Sequence, residues 1–171
     1  MSMSMTCIFQ FTVFLYEYLV WQLDIKNYTT HSHQRALFGQ NMYFLTVQLN
    51  TLPHLIAAYV YHHRIKWAMF LYIPYLIIFT FGQIFIWWLP YFFQKGMWFV
   101  DDNGEKLAQY KQYHAHHHRI LPRFHDHIVI PDSEHTILFI LTLITFILTI
   151  RTMILTFKHK TSTIQSKSKR N

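Results

Sequence analysis

Residues with ligand and acid–base chemistry crowd into one stretch of this 171-residue chain. The segment QYHAHHHRILPRFHDHIVIPDSEH, residues 112–135, holds seven of the thirteen histidines: His114, His116, His117, His118, His125, His127 and His135. Asp126, Asp132 and Glu134 lie among them. Imidazole and carboxylate together ligate zinc, iron, nickel or copper. A helix over 105–119 would place His114 and His118 on one face at i and i+4. An extended strand at 125–127 would align His125 with His127 and turn Asp126 away. His114, His118, His125 and His127 are therefore the candidate metal ligands, and a divalent transition metal is the one cofactor these residues suggest.

Against a metal stands the absence of any strict second spacing such as HExxH. Membrane di-iron hydroxylases and desaturases spread several HxxxH and HxxHH boxes along the chain. Here HAHHH supplies one such box at best, and His62-His63 has none around it. The same histidines would also suit a pH-responsive surface, or simply a loop lying along lipid headgroups. Leu121-Pro122 and Ile130-Pro131 bracket the loop, and proline disfavours helix at the residue before it. Asp132 or Ser133 is placed to cap the helix that follows, with Glu134 in its first turn matching the dipole.

Other chemistries are excluded or unsupported. Cys7 is the single cysteine, so no intrachain disulfide or CxxC zinc site can form. There is no GxSxG, P-loop or GxGxxG, and four glycines in all leave little for a phosphate cradle. No recognised catalytic motif marks the chain as an enzyme. The basic residues do not line one helix face with aromatics between them, so nucleic acid is not an expected partner.

The elements that must position the histidines are apolar. Hydrophobic residues make up 52% of the chain and aromatics 19%, while charged residues make up 13%, against about 25% in a soluble domain. From Trp67 to Gln94 no residue is charged. Those positions span roughly 42 Å of helix against a hydrocarbon core of roughly 30 Å, and aromatics stand at both ends as in an interfacial belt. Thr136–Phe157 is as apolar, with Thr142, Thr145, Thr149 and Thr152 forming one stripe suited to close helix packing. Met42–Tyr61 and Cys7–Leu23 are weaker. They hold Gln48, Asn50, His54 and Glu17, which suit inner faces of a bundle. The N-terminus MSMSMTCIFQF has no basic n-region, so the first apolar stretch is expected to stay attached.

The expected fold is an all-α integral membrane bundle of four transmembrane helices at about 7–23, 42–61, 67–93 and 136–157. A structured histidine-rich loop occupies 94–135, and a basic disordered tail 158–171. Seven near-membrane basic residues (Arg64, Lys66 and five in the tail) against five (Lys26, Arg35, Lys95, Lys106, Arg123) favour cytoplasmic termini. Ionisable or polar residues inside a bilayer are functional candidates by default: Glu17, His54, Gln83 and Arg151. Glu17 and Arg151 differ by more than about 10 Å in depth, too far for an ion pair.

WWLPYFF at 87–93, HRILP at 118–122, Asp126 and PDSEHTILFILTL at 131–143 together resemble a family of small bacterial multi-pass membrane proteins with no assigned activity. The shared pattern is a WW-x-PYFF helix end, an H-x-x-LP loop followed by Asp, and a P-x-x-x-H start to the last helix. The resemblance covers about 87–143. It implies a bacterial cytoplasmic membrane location and picks out His118, Asp126 and His135 as a candidate polar site. His125 and His127 replace the glycine and asparagine that usually flank the Asp.

The leading expectation is a structural or accessory membrane protein in a lipid bilayer, acting beside a membrane partner or a second copy. The alternatives are a membrane-embedded metal-binding protein or enzyme using the loop, and a small transporter or channel component with Glu17, Asn50, His54 and Gln83 lining a polar interior.

Overall fold

A computed structural model describes residues 4–29, 31–101, 103–114 and 116–168. It is all-helical, with no strand among the described residues. Helix α1 is Met5–Gln22, where Ser4 caps the first turn by accepting from Cys7 N. Helix α2 is His31–His62. It starts earlier than the apolar pattern indicated and is broken at Gly39, whose φ of 70° no helix can hold. Helix α3 is Lys66–Phe93, with Pro74 inside it and a π-helical turn at Ile84–Trp88. A short helix α4, Glu105–Tyr113, lies in the loop. Helix α5 runs Ser133–Ser168.

Two of these differ from the expected bounds. α5 begins at Ser133 because Asp132 caps it there, its Oδ1 accepting from His135 N at 3.0 Å. It also continues past Phe157 through 158–168, a stretch expected to be an irregular tail; no proline or glycine interrupts the chain there. Residues 169–171 of that tail lie outside the described residues.

Where four spans were expected, two helices among the described residues are long and apolar enough to cross a membrane: Lys66–Phe93 and Ser133–Lys158. α1 and α2 carry too many polar residues to qualify on composition.

The long helices pack in a ring, α1 on α2 and α5, α3 on α2 and α5. The ring is inverted relative to a water-soluble core. Thr6, Gln10 and Glu17 of α1, His54 of α2, Gln83 of α3 and Thr142, Thr145 and Thr149 of α5 are buried. Ile8, Phe11 and Leu15 of α1, Phe44 and Ile56 of α2, Phe70, Ile78 and Phe81 of α3, and Ile147 and Ile154 of α5 are exposed. The buried polar groups meet one another: Gln10 Nε2 donates to Thr149 Oγ1 at 3.1 Å, Gln83 Nε2 to Thr142 Oγ1 at 3.1 Å, and Thr6 and Thr152 hydroxyls stand 2.6 Å apart. The threonine stripe of α5 is thus the seam along which α1 and α3 attach.

Candidate metal centre in the loop cap

The loop is anchored where α3 ends. Pro90 has no N–H to return to the carbonyl four residues back, and the helix widens into the π turn just before it. Gln94 closes the helix in the left-handed region. The chain then folds back so tightly at Gly96 (φ +101°) that a Cβ there would sit 2.3 Å from the Phe85 carbonyl oxygen. This return seats Trp98 against Trp87, with Tyr110 of α4 and Val129 completing a small apolar core.

Tyr110 fixes the far limb of the loop. Its hydroxyl donates to Ile130 O at 3.1 Å and accepts from Ile130 N at 3.0 Å. Burial pushes the phenol above its usual range, which keeps the donating proton in place. His118 adds a second tie: its backbone O accepts from Ser133 N at 2.8 Å, and its Nδ1 stands 2.6 Å from Ser133 Oγ. Asp132 is thereby held, 1% exposed, directly against the end of α4.

Three imidazoles converge on that carboxylate. His135 Nδ1 stands 2.6 Å from Oδ1, His117 Nδ1 3.0 Å from Oδ2, and His114 Nδ1 3.5 Å from the same Oδ2. One donor atom each from buried His114, His117 and Asp132 lies within 4.8 Å of the other two. A tetrahedral ion with bonds near 2.05 Å needs ligand atoms about 3.4 Å apart, and the distances to Oδ2 bracket that value. His114 Nδ1 and His117 Nε2 are buried with no hydrogen-bond partner among the described residues. An unprotonated imidazole nitrogen left so is a vacant lone pair, which costs free energy unless a cation accepts it. The residues therefore fit a divalent transition metal.

The electrostatics point the same way. Burial pushes His114 below its usual value, favouring the neutral ligand form. Burial works against the Asp132 charge, but the charge on His135 and the contacts with His114, His117 and His135 outweigh it and hold the carboxyl well below its ordinary range. Trp87 walls the group, its ring 4.0 Å from that of His135 and 5.0 Å from that of His114.

No protein-family model, no curated protein and no solved structure matches this chain.

The residues singled out in the sequence are dispersed by the fold. Of His114, His118, His125 and His127, His114 alone is in the cluster. His118 ties the loop to α5, His125 is exposed at a positive φ of 50°, and His127 Nδ1 meets the Tyr91 carbonyl at 2.6 Å. Asp126 is exposed and apart from His118 and His135, while His135 joins the cluster through Asp132. His117 and Asp132 are the members sequence reasoning passed over. Asp132 was legible as a helix cap, and it is one, but its second oxygen was free to do more. Of the residues expected at membrane depth, Glu17 and Gln83 line one cavity with Asn50. His54 is buried against Tyr72, 2.7 Å from its hydroxyl. Arg151 is exposed on α5.

Proposed function

We propose that this chain is a multi-pass integral membrane protein that holds a divalent transition-metal ion on His114, His117 and Asp132, beneath the loop that caps a four-span bundle. The observation that carries the metal reading is the convergence of two buried imidazoles on one buried carboxylate oxygen, His114 Nδ1 at 3.5 Å and His117 Nδ1 at 3.0 Å from Asp132 Oδ2. Two nitrogens and an oxygen suit zinc, nickel, copper or iron better than magnesium or calcium. Such an ion held by His114, His117 and Asp132 would supply Lewis-acid chemistry to a bound water or substrate atom. The chain's own part is to orient it: Asp132 is fixed by its place at the head of α5, and Trp87 shields the imidazoles.

Four spans are supported by the apolar outward faces of α1 and α2, which match those of α3 and α5. The 18 residues of α1 make roughly 27 Å of helix, close to a hydrocarbon core. The distribution of basic residues supports cytoplasmic termini, and the resemblance over 87–143 supports a bacterial cytoplasmic membrane.

Elemental analysis of detergent-purified protein tests the metal. About one equivalent of a transition metal per chain is expected, falling to background in His117→Ala and Asp132→Asn. Substoichiometric zinc, iron, nickel and copper alike in the wild type would overturn the reading and leave a structural or accessory role.

A further inference from the structure

Below the cap, between the four long helices, lies a cavity of 450 Å³, within the range of small-molecule sites. Two of its polar groups are acceptors left unmet. Glu17 Oε2 and Gln83 Oε1 are acceptors with no partner among the described residues, on side chains 4% and 8% exposed. Gln83 spends its own donor on Thr142, so its oxygen faces the space unmet. Glu134 also lines the cavity. His135, which also lines the cavity, meets Asp132 through Nδ1 and stands 4.0 Å from Glu134 Oε1 through Nε2, and no lysine or arginine lines the walls among the described residues.

Four aromatic rings, Trp21, Tyr75, Phe79 and Trp87, stand in the walls among aliphatic side chains. Buried acceptors without donors are costly, and aromatic faces attract a cation. We propose that the cavity binds a primary ammonium group carried on an apolar body, its N–H groups directed at Glu17 and Gln83 and its body against the rings. A hard metal ion would want several oxygens and no aromatic wall. A neutral donor would offer the Glu17 carboxyl a hydrogen bond but no opposite charge. Either a soluble amine or the headgroup of an aminophospholipid supplies this chemistry.

Trp21 and Trp87 report the test. Protein in phosphatidylglycerol nanodiscs is titrated with phenethylamine, which is an ammonium at neutral pH, and with the neutral 2-phenylethanol, following tryptophan fluorescence. A saturable change is expected with the amine, about tenfold tighter than with the alcohol. Glu17→Gln and, independently, Gln83→Leu should weaken the amine by about tenfold or more and leave the alcohol unchanged. Equal affinity for the two probes, or no saturable response to the amine, would overturn the proposal without recourse to any variant. Adding phosphatidylethanolamine to the discs separates the sources: competition with the probe assigns the lipid headgroup, and unchanged probe affinity assigns a soluble amine. The readout does not depend on metal content, so it stands or falls apart from the metal reading.

Discussion

Asp132 and His135 are joined twice through a single oxygen: Oδ1 accepts from the His135 backbone N at 3.0 Å and stands 2.6 Å from its Nδ1. The first bond starts α5 and the second sets the imidazole. Because both fall on Oδ1, Oδ2 is released to face His117 and His114. One side chain therefore links where the last helix begins to how the loop closes over the bundle.

Asp132→Asn separates the two roles. The amide oxygen can still cap α5, so the helix should persist, while the charge that the imidazoles share is gone. In metal-free protein, wild type should melt above the variant. The folded carboxyl lies well below 3.8, so the wild-type advantage is full above that ordinary value and lost as pH falls below it, through the folded value. Thermal melts of both proteins in detergent from pH 7 to pH 3 would show it. A constant difference across that range would be inconsistent with the argument.

Tyr110→Phe removes a hydroxyl and nothing else. It strands the buried N–H and C=O of Ile130, at about 1–3 kcal/mol each. The expected result is faster proteolysis within 94–132 with unchanged helix content by circular dichroism. An intact loop under protease would show that the clamp does not hold it.

Glycines 96 and 82 should respond in opposite ways to alanine. Gly96→Ala meets the Phe85 carbonyl in a disfavoured backbone region, whereas nothing lies within 4 Å of a Cβ on helical Gly82. The first should lower the melting temperature sharply. The second should leave it unchanged or raise it, since alanine is favoured over glycine in helices by about 0.5–1 kcal/mol. Similar shifts for both would contradict the close return of the chain onto α3.

Histidine variants sort the loop. His114→Ala and His117→Ala should each strip the metal, and His125→Ala and Asp126→Asn should not, because the latter two residues are exposed and away from the cluster. Metal content per chain after identical purification is the measurement, and loss of metal in His125→Ala would relocate the site.

The sequence announced α3 and α5 because an uncharged stretch of that length has few other uses, and it announced the stripe of threonines by spacing alone. It could not choose among seven neighbouring histidines. That choice is made by Gly96, which folds the loop back, and by Tyr110, which draws Ile130 and hence Asp132 against the end of α4. The first is a contact between residues 11 apart in the chain and the second between residues 20 apart, and no local period encodes them. Asp132 was read for its nearest task, capping, and its second oxygen became visible only once α4 was beside it. Glu17 and Gln83 were each legible as unusual, but their meeting across one cavity depends on the ring order of the helices.

The inverted packing bears on how the protein is made. Gln10 of α1 meets Thr149 of α5 and His54 of α2 meets Tyr72 of α3, so the buried polar groups of the first two helices find partners on helices synthesised after them. As they leave the ribosome, these two helices have a poor claim on the hydrocarbon phase, and α3 and α5 have a strong one. Insertion would therefore be retroactive, with the later helices supplying the threonine hydroxyls and the apolar company that let the earlier ones settle. On the four-span reading, truncation before Ser133 would then cost α1 its place in the membrane as well as removing α5 itself.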